Sequence, residues 1–206
     1  MGNEYSQGPD FWATKARKEG YPARSVYKLE EIDERFRLIR RGMSILDLGA
    51  APGSWSLFAL RALKGTGSVT AVDLKALSLP ELSRASSFLA IQGDLLEETT
   101  LAKLLERAPF NLVMSDAAPD TTGNRTVDTG RSAAIVRGVI ALADLLLAPG
   151  GGLIFKLFQG GDERDILEEV RERFRSARNF KPKASRKISF ETYCIGSDFR
   201  GSVARD

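Results

Sequence analysis

Histidine is absent from this 206-residue sequence, and Cys194 is its single cysteine. One cysteine cannot form a disulfide within the chain. Without histidine, neither a Cys/His metal site nor a histidine-based catalytic triad can be built. A general base in this protein must therefore be a lysine, an aspartate, a glutamate or a tyrosine. We expect neither a disulfide nor a metal site.

Long apolar runs are also missing. No stretch approaches the roughly 20 residues of a membrane-spanning helix, and the first ten residues, MGNEYSQGPD, lack the apolar segment of a secretory signal. The cytoplasm is therefore the expected compartment, with no membrane partner. Neither charge dominates, since 30 basic and 27 acidic residues give a net charge of +3. A nucleic-acid partner must then be argued from where the charges lie.

The size and composition of the chain predict one domain. With 43% hydrophobic residues it can bury one substantial core, so we expect a single domain over residues 1–206 and a monomer. Residues 1–9 are polar and expected to be flexible, and residues 10–41 should form basic helices interrupted at Gly20-Tyr21-Pro22. The second helix has an apolar stripe that should dock on the core: Val26, Leu29, Ile32 and Phe36.

The most informative stretch is residues 43–55, MSILDLGAAPGSW. Its apolar beginning is typical of a strand buried on both faces, its Gly-Ala-Ala-Pro-Gly segment forces a turn, and a helical composition follows. Such a strand–turn–helix unit opens nucleotide-binding α/β folds, in which the ligand approaches the backbone near the helix N-terminus. The spacing matches neither the G-x-G-x-x-G fingerprint nor a Walker A loop. An ordinary tight turn is the alternative.

Acidic residues frame this turn. Asp47 lies near the end of the first strand, and Asp73 ends the next apolar run, where such folds hold a ribose through its hydroxyls. An adenosine without a pyrophosphate would fit, and S-adenosylmethionine is the commonest cofactor of that kind. Asp94 ends a third apolar run. It could accept a hydrogen bond from the adenine amino group or cap the helix that follows.

Apolar runs alternate with helical segments along the rest of the chain, which predicts a parallel sheet with helices on both faces. The ligand crevice is expected at the carboxyl ends of the strands. After the fourth strand, the polar residues 120–130 are long enough for a mobile substrate loop, and residues 131–147 have a helical pattern. Residues 176–197 should form two more strands around a basic loop.

Lys156 lies inside an otherwise apolar strand, LIFKLF at residues 153–158. An unpaired ammonium is costly to bury, so the site must offer carboxylates or lower the pKa of the lysine. The alternative is a lysine that reaches solvent from the end of the strand. Asp116 follows the fourth strand at the same edge of the sheet, and it is either a partner in the site or a turn cap.

Basic residues gather in two regions. Nine lie between residues 10 and 41, interleaved with aromatic residues: Lys15, Arg17, Lys18, Arg24, Lys28, Arg35, Arg37, Arg40 and Arg41. Six more follow the last helix with no acidic residue between them: Arg175, Arg178, Lys181, Lys183, Arg186 and Lys187. Such groups suit an RNA backbone, and a solvated helix face or loop is the alternative.

Five motifs resemble, in this order, the RrmJ/FtsJ family of ribose 2′-O-methyltransferases: RSVYKL (24–29), DLGAAPGSW (47–55), SDAAP (115–119), FKLFQG (155–160) and SRKISFETY (185–193). The resemblance runs from about Phe11 to Gly196. It implies a Rossmann-like class I methyltransferase fold with a mainly parallel seven-stranded sheet. Small members of the family act on a uridine of large-subunit ribosomal RNA, and others modify transfer RNA or messenger caps. A ribosomal substrate within the assembled subunit is the expectation here.

The resemblance also implies site residues. The family's Lys-Asp-Lys-Glu tetrad corresponds to Lys28, Asp116, Lys156 and Glu191. The resemblance implies contacts with S-adenosylmethionine at Gly53, Trp55, Asp73, Asp94 and Asp116. The turn itself adds Asp47, Gly49, Ala51 and Pro52 as expected contacts. A 2′-hydroxyl must lose its proton as it attacks, and a neutral lysine can take it. We expect Lys156 to be that base, Lys28 to act electrostatically, and the two carboxylates to orient the pair.

Three other classes of function can be compared with this one. A base-carbon methyltransferase would need Cys194 as a nucleophile, but the surrounding TYCIG is typical of a buried, inert thiol. A nicotinamide dehydrogenase would need the tighter glycine fingerprint. A non-catalytic RNA-binding protein, such as a ribosome-assembly factor, is the main alternative without enzyme activity, and it would have no use for a complete tetrad.

Overall fold

The computed structural model describes residues 9–95, 97–186 and 189–201, in which strands and helices alternate. The strands are β1 (Ser44–Leu48), β2 (Ser68–Asp73), β3 (Phe88–Gln92), β4 (Phe110–Ser115), β5 (Leu147–Phe158), β6 (Phe174–Phe180) and β7 (Glu191–Phe199). The helices are α1 (Pro9–Lys18), α2 (Val26–Phe36), α3 (Ser54–Leu63), α4 (Pro80–Arg84), α5 (Glu98–Leu105), α6 (Arg125–Leu146) and α7 (Glu163–Arg173).

All these strands form one sheet, in the order β3-β2-β1-β4-β5-β7-β6. The first five strands of the chain pair in parallel, whereas β7 runs antiparallel to both of its neighbours, β5 and β6. The predicted α/β fold with a mainly parallel seven-stranded sheet is confirmed, and the reversal of β7 makes the sheet mixed. As a result, β7 begins at the edge where the parallel strands end.

Helices cover both faces of the sheet, as predicted. On one face, α5, α6 and α7 contribute buried residues such as Leu104, Val139 and Ile166. On the other face, α2 and α3 contribute residues such as Leu29 and Trp55. Because both faces are covered, the central strands carry the nearly continuous apolar sequences that first indicated them.

The basic N-terminal segment folds into α1 and α2, which are interrupted where the Gly-Tyr-Pro sequence predicts. Three residues of the apolar stripe, Val26, Leu29 and Ile32, are buried. The fourth, Phe36, is half-buried and packs edge to face on Phe180, with ring centroids 5.5 Å apart. The prediction of a flexible start falls on residues 1–8, which lie outside the described residues, and on Pro9, which begins α1.

Helix α6 begins at Arg125 rather than at residue 131. Asn124 is its N-cap, because the side-chain oxygen accepts hydrogen bonds from the backbone N–H groups of Thr126 and Val127. The predicted loop at residues 120–130 is therefore wrong in its second half. The cap lies within a run of polar residues that all favour loops, so the sequence did not distinguish it from its neighbours.

Candidate functional site

The turn after β1 is fixed by contacts with its two neighbouring strands. Gly49 donates its backbone N–H to the carbonyl of Val72 at 2.8 Å, and Ala51 donates to the Asp73 carboxylate at 2.9 Å. Gly49 has a φ of 72°, and a Cβ at this position would lie 2.5 Å from the Cβ of Ala117. Glycine is required at position 49 because both the backbone conformation and this close approach exclude a side chain.

A cavity of about 700 Å³ opens beside the turn, at the carboxyl ends of the strands. Its volume lies in the range of sites that hold small ligands and cofactors. Several of the predicted site residues line it: Gly49, Ala51, Asp73, Asp94, Asp116 and Lys156. Leu74 also lines the cavity and is 67% exposed, so it gives the Asp73 end an open apolar surface.

Asp73 can accept further hydrogen bonds from the cavity. One carboxylate oxygen accepts from the backbone N–H of Ala51, and the other accepts from that of Lys75 at 2.8 Å. A carboxylate has about four acceptor sites, so both oxygens can still bind hydroxyl groups. Asp94 does not occupy the N-cap of α5, because Glu97 is at that position.

Gly53 and Trp55 do not line this cavity, although the sequence predicts them as cofactor contacts. Gly53 is the N-cap of α3, with a φ of 104°, and a Cβ there would lie 2.7 Å from Leu79 Cδ1. Trp55 is 2% exposed and donates from Nε1 to the carbonyl of Ser25 at 3.0 Å. Gly53 shapes the turn, and Trp55 attaches it to the residue before α2.

A second cavity, of about 30 Å³, lies under the turn and is bordered by Asp47, Pro52, Trp55 and Asp116, among others. The Asp47 side chain is buried, with 1% of the residue exposed. Its Oδ2 accepts a hydrogen bond from Ser56 Oγ at 2.6 Å. Its Oδ1 has no hydrogen-bond partner among the described residues. An unpaired buried carboxylate oxygen is costly, and a positively charged group of a ligand would relieve that cost.

The stability of the protein should depend on pH through Asp47. Burial raises the pKa of Asp47 to about 7, the Ser56 hydrogen bond opposes this, and the charges of Asp116 and Asp73 add to it. Between the ordinary value of 3.8 and 7, the folded protein binds more protons than the unfolded chain, so this residue's contribution to stability falls as pH rises. As the pH rises from 5 to 7, we expect the unfolding free energy of Asp47→Asn to increase by about 2 kcal/mol relative to that of the native protein.

Urea unfolding of the ligand-free native and Asp47→Asn proteins at several pH values measures this gain. The asparagine amide can add a constant cost of its own, so the informative quantity is the change of the difference with pH. A difference in unfolding free energy that stays constant from pH 5 to pH 8 would contradict a titrating Asp47.

Lys156 and Asp116 form an ion pair on the wall of the large cavity. Lys156 Nζ lies 3.0 Å from Asp116 Oδ1 and donates to the Asp116 backbone carbonyl at 2.6 Å. The lysine side chain is 11% exposed and the aspartate side chain 20%. Lys156 therefore does not extend into solvent, and it has the carboxylate partner that its burial requires.

Lys28 and Glu191 form a second ion pair, with 2.6 Å between Nζ and Oε1. Their side chains are 12% and 11% exposed. Lys28 extends from α2, and Glu191 begins β7 opposite Phe158, which is two residues beyond Lys156 on β5. The residues of the predicted tetrad thus come from α2, β5, β7 and the turn after β4, and they form two ion pairs.

Tyr193 connects the two ion pairs and is not among the site residues predicted from the sequence. Its hydroxyl donates to Asp116 Oδ1 at 2.7 Å, and its ring centroid lies 5.9 Å from Lys28 Nζ and 5.8 Å from the ring centroid of Trp55. Burial, with the nearby charges of Asp116 and Glu191, raises the pKa of Tyr193 well above its usual range. The phenol therefore stays protonated and donates. Its position two residues after Glu191, on the same face of a strand, was the available signal.

Cys194 is enclosed in the core on the α5–α7 side of the sheet. Burial raises the pKa of its thiol to about 12, so the thiolate that a nucleophile requires does not form near neutral pH. Within the residues that the structure describes, no group of three or more His, Cys, Asp or Glu side chains could hold a metal ion. No helix in that part of the chain is long and apolar enough to cross a membrane.

The predicted basic groups are divided between the two edges of the sheet. Strand β6 runs parallel to β5, so Arg175 lies at the edge opposite the cavity, where it pairs with Asp198 at 3.2 Å. The basic residues at 37, 40 and 41 precede β1 and lie at that same far edge. Those that follow β6 or precede α2 lie at the cavity edge: Arg24, Lys181, Lys183 and Arg186. Lys187 is outside the described residues.

Known proteins are similar in sequence to this chain over nearly its whole length. A family model described as FtsJ-like methyltransferase matches residues 21–199. A protein of Treponema denticola named Ribosomal RNA large subunit methyltransferase E is 48% identical over 199 residues, which are 97% of this chain and 98% of that protein. A protein of Nitratidesulfovibrio vulgaris with the same name is 42% identical over 199 residues, which are 96% of each chain.

Solved structures share the fold. The crystal structure of a protein of Plasmodium falciparum described as a ribosomal RNA methyltransferase matches with a TM-score of 0.76 and 22% identity, over 88% of this chain and 100% of that one. A methyltransferase homologue of Pyrococcus horikoshii matches with a TM-score of 0.60 and 15% identity, over 79% and 63% of the two chains. At these identities the likeness shows the fold alone.

Proposed function

Because this chain belongs to the FtsJ-like methyltransferase family, we propose that it transfers a methyl group from S-adenosylmethionine to a ribose 2′-hydroxyl of large-subunit ribosomal RNA. The names of its relatives support the ribosomal substrate. The expected target is a uridine within the assembled subunit, so the reaction takes place in the cytoplasm. Transfer RNA and messenger caps are the alternative substrates.

The residues around the large cavity fit S-adenosylmethionine. Asp73 has acceptor sites for two ribose hydroxyls, Asp94 lies on the wall where it can accept from the adenine amino group, and Leu74 offers apolar surface to the base. The unpaired Oδ1 of Asp47, under the turn, suits a positively charged amino group. When bound, S-adenosylmethionine supplies a methyl group activated by a positively charged sulfur.

Lys156 is the proposed general base. The neutral amine of Lys156 takes the proton from the hydroxyl group while the 2′-oxygen bonds to the methyl carbon and the bond from that carbon to sulfur breaks, so that S-adenosylhomocysteine leaves as a neutral thioether. Asp116 orients this nitrogen through its carboxylate and its backbone carbonyl, and it stabilises the ammonium as it forms. Lys28, held by Glu191, adds a second positive charge that stabilises negative charge developing on the ribose oxygen.

One observation carries this proposal: Lys156 lies with its Asp116 partner on the wall of a cofactor-sized cavity. A lysine in an apolar strand is costly, and a side chain that is 11% exposed is poorly placed to contact phosphates on the surface. A non-catalytic RNA-binding protein would gain little from this arrangement. A ribose 2′-O-methyltransferase can use an amine at this position as its general base.

The test is to incubate the protein with methyl-labelled S-adenosylmethionine and large ribosomal subunits, small subunits or transfer RNA. A 2′-O-methyl group blocks alkaline cleavage, because the neighbouring hydroxyl that attacks the phosphate is gone. We expect label only in the large-subunit RNA, in one alkali-resistant dinucleotide. Label in mononucleotides would indicate base methylation and contradict the proposal. RNA binding without any transfer of label would support the non-catalytic alternative.

Tyr193→Phe should lower the single-turnover rate about tenfold, because Asp116 loses one charged hydrogen bond while the ring stays in place. Tyr193 touches Asp116 rather than the reacting atoms, so its role is positioning. The affinity for S-adenosylmethionine should change little. Tyr27→Phe is the matched control, since its hydroxyl donates to Glu19 at 3.0 Å from an equally buried ring. Equal rate losses in the two variants would contradict a specific role for Tyr193.

A further inference from the structure

Phe190 is a half-buried aromatic residue directly before Glu191. Its ring packs edge to face against Phe158, with centroids 4.8 Å apart, and the guanidinium carbon of Arg125 lies 5.5 Å from its centroid. Arg125 also donates to the carbonyl of Gln159 at 3.2 Å, and Gln159 donates its N–H to the carbonyl of Phe190 at 2.8 Å. Phe158, Phe190 and Arg125, which we call the Phe190 stack, thus join β5, the residue before β7 and the start of α6.

The Phe190 stack is adjacent to the tetrad. Phe158 is two residues beyond Lys156, so the two side chains project from the same face of β5 about 7 Å apart. Phe158 also pairs with Glu191 across the two strands. Phe158 is 9% exposed, Phe190 is half-buried and Arg125 is exposed. The stack therefore begins beside the proposed base and ends in a guanidinium group that faces solvent.

Other aromatic rings beside the tetrad are closed. Tyr27, Trp55 and Tyr193 are 3%, 2% and 0% exposed, respectively. Each is enclosed by neighbouring side chains and cannot receive a large flat ligand. Phe190 is partly open and packs on Phe158 of β5, and Arg125 extends the same surface. Phe180 is also half-buried, but it lies on β6, which β7 separates from β5.

We propose that the Phe190 stack receives the base of the target nucleotide and so positions its ribose at Lys156; this inference rests on the proposed function. The base is attached to the ribose carbon next to the one that bears the 2′-hydroxyl, so a ribose at Lys156 brings its own base to this surface. Unpaired RNA bases stack on aromatic rings and on guanidinium planes. Stacking accepts any base, so the Phe190 stack fixes the position of the nucleotide, not its identity.

The experiment is single-turnover methyl transfer from labelled S-adenosylmethionine to large ribosomal subunits that lack this methyl group, over a range of subunit concentrations. Phe190→Leu keeps an apolar side chain but removes the ring, and Arg125→Lys keeps the charge but removes the plane. Each should raise the half-saturating subunit concentration about tenfold, with the saturating rate and the cofactor Kd within about twofold of native. Phe190→Tyr, which keeps the ring, should have the native half-saturating subunit concentration, saturating rate and cofactor Kd.

Phe180→Leu is the matched control, and it should leave half-saturation unchanged. Phe180 is also half-buried, packs edge to face on Phe36 with centroids 5.5 Å apart, and has the Arg35 guanidinium carbon 5.5 Å from its centroid. A native-like Phe190→Leu, or equal losses in the two leucine variants, would overturn the inference. A lower saturating rate with weaker cofactor binding would also overturn it, because it would assign the stack to folding alone.

Failure of the proposed function gives a different result. If the native protein transfers no methyl group to ribose in these subunits, the proposed function fails, and the role of the Phe190 stack fails with it. If the native protein is active but Phe190→Leu and Arg125→Lys both behave as the native protein does, the stacking inference fails and the proposed function stands.

Discussion

Lys156→Ala should lower the single-turnover rate of methyl transfer about a thousandfold at saturating subunits and cofactor, because a general base contributes roughly 10²- to 10⁴-fold. The variant should still fold, since Asp116 keeps its hydrogen bond from Tyr193 and is partly exposed. Its affinities for RNA and for S-adenosylmethionine should stay near native. A variant that retains most of the native rate would show that Lys156 is not the base.

Two further lysine variants separate base catalysis from charge. Lys156→Arg keeps a positive charge but cannot release its proton, so it should be about as inactive as the alanine variant. A substantially active arginine variant would mean that charge alone is required. Lys75→Ala is the control, because Lys75 is an exposed lysine that lines the same cavity at the Asp73 end. It should keep a near-native rate.

The affinity for RNA should fall about a hundredfold between 50 and 200 mM salt, because each phosphate contact releases counterions and contributes close to one unit of slope. This estimate assumes one phosphate contact from each of the four basic residues at the cavity edge: Arg24, Lys181, Lys183 and Arg186. Binding of large subunits at increasing NaCl measures the slope. The affinity for S-adenosylmethionine, titrated under the same conditions, should change little. A flat response of RNA affinity to salt would remove these residues from the interface.

Substitutions at the two edges of the sheet test where the RNA lies. Lys181→Ala and Arg186→Ala should each reduce the salt slope by close to one unit. Arg175→Ala, at the far edge and paired with Asp198, should leave the slope unchanged. Equal effects at both edges would mean that the RNA wraps the whole basic surface of the chain.

Much of the fold followed from local patterns in the sequence. The apolar run and glycines around Asp47 predicted the β1 turn, because a buried strand and a turn that excludes side chains have distinct compositions. Lys156 stood out because a charged residue inside LIFKLF contradicts its own surroundings. The Lys156–Asp116 pair could be anticipated since Asp116 follows β4 and Lys156 lies near the end of the neighbouring parallel strand, β5.

Other features depended on long-range geometry. Tyr193 meets Asp116 only because antiparallel pairing with β5 sets the register, with Tyr193 opposite Lys156. The division of the basic residues depends on the direction of β6, which follows from the reversal of β7. A count of charges along the chain does not show in which direction β6 runs. The early start of α6 depends on the single Asn124 cap.

A crystal structure of the protein with sinefungin, an unreactive analogue that carries an amine in place of the transferable methyl group, tests the central claim most directly. We expect its ribose hydroxyls on Asp73 and its amine directed at Lys156, with room for one ribose oxygen between them. An analogue whose amine is turned away from Lys156, or that lies outside this cavity, would contradict methyl transfer at this site.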